Sequence, residues 1–354
     1  MVLNIAFLTR DWTVPPPFGA IPGGCAYYRC YLPMVVCDLN AQMGLPFFDA
    51  VHGYGIVEKG HVAAYGFDTV MLKLIMDRQT PHQIRLAQQN KGQRIIIDID
   101  DYFDGLTPAN RAYERTSPES NKKFNRDYYK ESIGHADTIT VSTPFLKNHY
   151  SQTHDNVVMI RNGVNAHQFQ PRIHRPGKPV IGWAGSTAFR NNDLEQLREW
   201  LPDLLEKHDL TFHHAGAGDQ SIHEIIGIPE TRLTTSPLCP IDKYPHSLKF
   251  DIGLVPLNDI PFNHAKSNIK GLEYAAAGIP FIASDLPEYR LLHEDGAGTL
   301  ASTPEQWTLA VERLLDHRER KKDAYRARMA VLQGWTIESR ASEWNSLLSG
   351  ASSG

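Results

Sequence analysis

The stretch from Phe250 to Ser284 constrains the fold more than any other part of the chain. It opens on an apolar run, Phe250-Asp251-Ile252-Gly253-Leu254-Val255-Pro256-Leu257, of the length of a buried strand. A polar loop and a helix-like segment follow, and a second apolar run, Ile279–Ser284, closes it. Strand, loop, helix, strand is a βαβ unit, which belongs in a parallel sheet covered by helices. In such sheets ligands bind at the carboxyl ends of the strands.

The helix between the two runs reads from about Ser267 to Ala277, with Ser267 as its N-cap and Gly278-Ile279-Pro280 as its exit. Lys266, Lys270 and Glu273 then share one face, at spacings of four and three. Ile269, Leu272 and Ala276 form a separate apolar stripe that faces the core. A helix N-terminus beside two lysines suits an anion, phosphate first among them. Glu273 lies six residues past Ser267, roughly 9 Å along a helix axis, about the span from a diphosphate to its ribose. An amphipathic helix with a charged wet face satisfies the same spacings.

The alternation extends through the whole chain. Strand-like runs at Asn4–Thr9, Thr69–Leu74, Arg94–Ile99, Thr138–Ser142 and Val157–Arg161, with Leu45–Val51 as a further candidate, are separated by helical stretches at Ala26–Asn40, Pro81–Asn90 and Lys122–Gly134. The pattern breaks at Pro171-Arg172-Ile173-His174-Arg175-Pro176-Gly177-Lys178, a linker by composition. It restarts with strands at Pro179–Ala184, Leu210–Ala215, Phe250–Leu257, Ile279–Ser284 and Gly298–Ala301 and helices at Asn192–His208, Pro304–Arg320 and Lys322–Leu332. A last helix spans Ile337–Leu348, and a small, polar end, Ser349–Gly354, reads as disordered. The expectation is α/β: two doubly wound, Rossmann-like domains facing a cleft, over residues 1–172 and 173–335, with 336–350 as a C-terminal helix.

Three glycine-bearing loops end strands. Pro22-Gly23-Gly24-Cys25-Ala26-Tyr27-Tyr28-Arg29 opens a helix; its glycines let a ligand approach and Arg29 suits a phosphate or an acceptor, or the whole is a simple turn. Gly185-Ser186 through Arg190 follows the first strand of the second half, with backbone N–H groups and a guanidinium for phosphate. His214-Ala215-Gly216-Ala217-Gly218-Asp219 ends the next strand and falls short of a full GxGxxG. Asp98-Ile99-Asp100-Asp101 ends a strand of the first half. Asp98 and Asp100 share a face there, and the three acids suit contact with a sugar or acceptor, a general base, a metal or a structural role.

The chain has 354 residues and a net charge of −4, which makes no electrostatic case for nucleic acid or an anionic membrane. No run approaches the ~20 apolar residues of a membrane span, and the N-terminus lacks the basic start of a signal peptide. Cys25, Cys30, Cys37 and Cys239 fit no common zinc or CxxC spacing and read as free thiols in a reducing compartment. A metal site is not expected. GxxxxGK[ST], GxSxG and HExxH are absent, which argues against a P-loop NTPase, an α/β-hydrolase and the common zinc enzymes.

Taken together, these motifs resemble the GT-B glycosyltransferases, and within them the retaining family-four or group-one enzymes. The resemblance is strongest over residues 179–290, where Gly182-Trp183-Ala184-Gly185-Ser186, Asp251–Leu257 and Lys266-Ser267 through Glu273 follow in order; Gly23–Arg29, Asp98–Asp101 and Asn162-Gly163-Val164-Asn165 look similar in the first half. It implies a nucleotide-diphospho-sugar as donor substrate, no prosthetic group, and metal-independent transfer of the sugar to an acceptor hydroxyl. The implied donor site is Gly185, Ser186, Arg190, Gly216, Lys266, Ser267, Asn268 and Glu273, with Glu273 on the ribose and with Lys266 and Arg190 on the diphosphate. Gly23, Gly24 and Arg29 would meet the acceptor, a glycan, lipid, protein side chain or modified nucleobase, helped by the 102–130 segment. The tail helix would cross back onto the first domain. Two places depart from the family's pattern: Ala265 stands where an acid often grips the donor sugar, leaving backbone amides or Asn263 for that contact, and acids stand where the first domain often has a histidine. Retention is implied; with Asp100 or Asp101 as base, inversion is open. The protein is expected in the cytoplasm without integral membrane association. A nucleotide-sugar epimerase on the same fold and a non-catalytic nucleotide-sugar binder are the competing readings.

Overall fold

Two mostly parallel sheets meet along a cleft in the computed structural model, which describes residues 3–14, 21–37, 39–58, 61–218 and 220–350. Asp219, from the third glycine loop, and residues 351–354 lie outside the described residues.

The first half carries β1 (Asn4–Thr9), β2 (Trp12–Val14), β3 (Ile21–Pro22), β4 (Asn40–Asp49), β5 (Gly53–Glu58), β6 (His61–Ala64), β7 (Thr69–Lys73), β8 (Arg94–Ile99), β9 (Thr138–Val141) and β10 (Val157–Met159). Its main sheet has the order β10-β9-β8-β7-β1-β4-β5-β6, while β2 and β3 pair separately. All contacts from β10 to β4 are parallel, and β5 and β6 turn back antiparallel. The sequence marked a candidate strand only at Leu45–Val51. In the structure the strand starts at Asn40, so the preceding helical run stops at Val36 instead of Asn40. That run also contains a π-helical turn, Tyr27–Tyr31.

The second half carries β11 (Ile181–Ala184), β12 (Phe212–Ala215), β13 (Leu233–Ser236), β14 (Ile252–Val255), β15 (Phe281–Ser284) and β16 (Thr299–Ala301), all parallel in the order β13-β12-β11-β14-β15-β16. Its four central strands, β12, β11, β14 and β15, are buried along their whole length, as strands with helices on both faces must be. The single helix expected at Asn192–His208 is two pieces, a 3-10 turn at Glu195–Glu199 and a helix at Leu201–Lys207, because Pro202 restarts the backbone in a new first turn. The sequence reading missed β13 and the helices Ile222–Ile226 and Pro287–Glu294.

In each sheet the strand order reverses at one place, between β1 and β7 and between β11 and β14. These switch points are where an open α/β sheet leaves a crevice at its carboxyl edge.

One apolar core runs across both halves, from Phe7 and Tyr27 through Tyr274 and Phe281 to Trp344. Val164 bridges to Thr336, so the tail passes directly over Gly163. A Cβ there would stand 2.6 Å from the Thr336 carbonyl oxygen, which explains a glycine at the crossing. The last helix, Ala341–Ser349, returns to the first half: Arg94 donates to the Leu347 carbonyl, and the Trp344 ring lies 4.8 Å from the Arg29 guanidinium.

Candidate active site in the cleft

The helix expected to start at Ser267 starts two residues later, at Ile269, and runs to Ala276. Asn268 takes the N-cap place with no side-chain cap; its buried amide donates instead to the Glu288 carbonyl, 3.0 Å away. Ser267 is no cap because its hydroxyl is held from the first half, by Asn162 Nδ2 at 2.9 Å. Gly278, at φ +65°, ends the helix, and Ile279 N–H returns to the Tyr274 carbonyl at 2.8 Å.

Lys266, Lys270 and Glu273 line one cavity of about 320 Å³, as the face they share predicts. Ile269 lines it too, while still packing against the core that Leu272 and Ala276 enter fully. The cavity sits at both switch points: Gly185 and Arg190 follow β11, Gly24 and Tyr28 follow β1, and Asp100 and Asp101 follow β8 beside β7.

Three cations converge on it. Arg190 lies 5.3 Å from the Trp183 ring centroid and donates from Nε to the Ser186 carbonyl at 3.1 Å. Lys270 donates to the Ala184 carbonyl and lies 5.5 Å from the same ring. Burial, and then the Arg190 charge, pushes the Lys270 ammonium down to about 8. Lys266 reaches across the cleft to Asp101, Nζ to Oδ1 2.9 Å.

Glycine and histidine shape the Arg190 loop. Gly185 has φ +147° and Gly216 φ +151°, and a Cβ on Gly216 would fall 2.1 Å from the Gly185 carbonyl oxygen. Gly216 therefore supports the loop from behind and does not itself line the cavity. His214, stacked on Trp183, donates from Nε2 to that same carbonyl at 2.9 Å. The Ser186 hydroxyl accepts Ala188 N–H at 3.3 Å within the turn and stays outside the cavity lining.

The acidic side differs from its expectation. Arg29 is wholly buried. It pairs with Asp98 at 2.7 Å and donates to the Ile160 carbonyl at 2.6 Å and to Asn162 at 3.2 Å, so it meets no acceptor. The π-helical turn points it inward, against strand ends that sequence could not bring together. Lys73, at the end of β7, is equally buried and stands between Asp98, at 3.2 Å, and Asp100. Burial would raise the Asp100 carboxyl, but the Lys73 ammonium against it holds it below the usual carboxylate range, and the Cys25 thiol donates to it as well. Gly23 does not line the cavity: a Cβ there would collide with Asp11, whose carboxylate accepts Ala26 N–H at 2.8 Å and closes the turn. Gly24 does line it, with open space above its Cα.

Ala265 is fully buried in the core of the first half beside Phe262, and its carbonyl accepts the Thr143 hydroxyl at 3.0 Å. Asn263 is turned away, donating to Asp193 at 2.6 Å and to the Asn258 carbonyl at 3.0 Å, so it does not replace the missing acid. The 102–130 segment stays outside the cavity lining but touches the Arg190 loop, through Thr107 to Asn191 at 2.7 Å and through Arg115 over the Phe189 ring at 5.3 Å. Sequence reading placed Lys270 beside an anion but left it out of the implied donor site, and it singled out none of Tyr28, Tyr244 and Lys73. Lone tyrosines and a strand-end lysine carry no spacing signal.

The comparisons with known proteins agree with this geometry. Residues 178–317 match the family model of the glycosyl transferases group 1. This segment is similar to a group 1 glycosyltransferase domain. It holds Arg190, Lys266, Lys270 and Glu273. Over 186 residues the chain is 28% identical to the putative teichuronic acid biosynthesis glycosyltransferase TuaH of Bacillus subtilis (strain 168), covering 47% of this chain and 45% of that protein. It therefore spans about half the length of this curated relative. Among solved structures, sucrose-phosphate synthase from Thermosynechococcus elongatus superposes with a TM-score of 0.64 at 14% identity, covering 98% of both chains. Anabaena HepE, in complex with UDP and glucose, gives 0.64 at 13% identity over 98% of this chain and 100% of its own. The matched segment is thus the second half of a GT-B fold.

Proposed function

We propose that the protein is a glycosyltransferase that moves a sugar from a nucleotide-diphospho-sugar to an acceptor hydroxyl. The observation that carries this reading is the convergence of Arg190, Lys266 and Lys270 on one cavity at two strand-order switch points, with Glu273 less than one helical turn beyond Lys270. Three cations around a diphosphate neutralise the charge that grows on it as the sugar departs, and they do so most effectively in a cleft that excludes water. Lys270 contributes a further gain, since a diphosphate restores the ammonium that burial disfavours.

We assign residues 1–172 to the acceptor side, 173–335 to the donor side and 336–350 to the helix that straps them. Asp100, held ionised by Lys73, is a weak base and is better suited to accept a hydrogen bond from the acceptor than to remove its proton. That supports retention over base-assisted inversion. The side-chain cations supply the charge that a metal would otherwise bring, which supports metal-independent transfer. HepE binds UDP, UDP-glucose and glucose, so uridine sugars are the first donors to try, and TuaH's name makes glycans the first acceptors. No helix among the described residues is long and apolar enough to cross a membrane, and the four cysteines are free, in keeping with a cytoplasmic enzyme.

The test is thermal shift against a panel of nucleotide sugars, followed by product analysis with the one that binds. Ligand at a hundredfold excess over Kd stabilises the fold by about 2.7 kcal/mol. Transfer yields free nucleoside diphosphate and a new glycoside; an isomerised donor would make the protein an epimerase, and no shift with any donor would refute the reading.

A further inference from the structure

Glu273 is only 6% exposed, and each of its carboxylate oxygens accepts one tyrosine hydroxyl. Tyr28 donates to Oε1 at 2.6 Å and Tyr244 to Oε2 at 2.8 Å. The tyrosines come from opposite sides of the cleft, Tyr28 from the π-helical turn after β1 and Tyr244 from the 3-10 turn Tyr244–Ser247 ahead of β14. All three side chains line the cavity. An ionised carboxylate has about four lone-pair sites, so each oxygen keeps one unused.

We propose that Tyr28 and Tyr244 are positioning residues that clamp Glu273 so that its two remaining lone pairs grip the vicinal hydroxyls of the donor ribose, a recognition completed only when the first half closes on the second. The proposal rests on the donor-site reading above.

Three observations support it. A glutamate has three side-chain torsions, and charge-assisted O–H···O⁻ bonds on both oxygens remove the freedom that a ribose contact would otherwise have to remove. Burial pushes the Glu273 carboxyl up, while Lys270 and the two tyrosine hydroxyls pull it back, so loss of either hydroxyl moves it toward a neutral acid that accepts less well. The clamp is also tethered: Tyr27 donates to Gln168 at 2.5 Å, and Gln168 donates to the Ile241 carbonyl at 3.0 Å, which ties the segments that bear the two tyrosines to each other.

The experiment is calorimetric titration of the full chain and of Tyr28→Phe, Tyr244→Phe and Glu273→Gln with UDP, ADP and GDP, and then with the 2′-deoxy form of whichever binds best. Wild type should prefer the ribonucleotide by about tenfold, the worth of a hydrogen bond to a charged group. Each Tyr→Phe variant should lose most of that preference while binding the deoxy form within about twofold of wild type, and the pH below which the ribonucleotide affinity falls should move upward. A Tyr28→Phe variant that weakens both forms equally, with Glu273→Gln still losing the preference, would overturn the clamp and leave the ribose contact standing. A Glu273→Gln variant that keeps the preference would overturn the ribose contact itself. Binding of none of the three nucleotides would overturn the donor site.

Discussion

The Lys266 ammonium stands 2.9 Å from the Asp101 carboxylate, an ion pair that joins the segment leading into the Ile269–Ala276 helix to the strand end of the opposite sheet. Both side chains keep some contact with solvent, 21% and 31%, so the pair is worth at most about 1 kcal/mol. A diphosphate with two or more negative charges outcompetes one such carboxylate. Asp101→Asn should therefore tighten UDP binding, by up to about fivefold, and Lys266→Ala should weaken it by about tenfold or more. Calorimetry checks both; weaker binding in Asp101→Asn would mean that Asp101 assists the donor.

Lys270 sets a pH dependence. Its pKa in the folded protein lies at about 8, below the ordinary 10.5, because burial and Arg190 disfavour the ammonium. Diphosphate favours the ammonium, so binding takes up a proton wherever the free protein has lost it. The Lys270 contribution to affinity should be flat below pH 7 and fall above about 8, approaching about tenfold per pH unit. Titrations at pH 8.5 in buffers of different ionisation enthalpy should show proton uptake. In Lys270→Arg, which stays charged, the slope should vanish.

The Arg29, Asp98, Lys73 and Asp100 cluster is structural support for the acidic side of the cavity. Arg29→Ala leaves a buried carboxylate short of its main partner, which costs about 3–5 kcal/mol and should lower the Tm by on the order of 10 °C. Arg29→Lys should recover little, because only the guanidinium fork reaches Asp98, the Ile160 carbonyl and Asn162 together. Differential scanning calorimetry reads both.

Restoring an acid at position 265 should harm the protein. The Ala265 methyl is fully buried in the core of the first half, so Ala265→Glu forces a carboxylate into an apolar contact between the two halves. A loss of several kcal/mol, a lowered Tm and no gain in donor affinity are the expected results. Tighter binding of a nucleotide sugar in this variant would contradict them.

Much of the fold was legible because parallel strands are buried on both faces and so appear as short apolar runs between turn residues. β1 and β8 match their sequence boundaries to the residue, and β11, β14 and β15 fall inside theirs. The antiparallel return through β5 and β6 was not legible, since strand and turn residues mix there without clean alternation. In the site, the shared face of Lys266, Lys270 and Glu273 follows from helical spacing, and Arg190 from its place after a strand. The destinations of Arg29, Ala265 and Asn263 do not.

The sequence by itself determined two α/β halves, their strand ends and the helix face that carries Lys266, Lys270 and Glu273, because these depend on neighbours a few residues apart. Only the tertiary structure decided which charges stay free. Arg29 meets Asp98 across 69 residues, Lys266 meets Asp101 across 165 and Tyr28 meets Glu273 across 245. The first contact brings two distant segments of the first half together, and the other two exist because two switch points close on one cavity; no local pattern of residues encodes either.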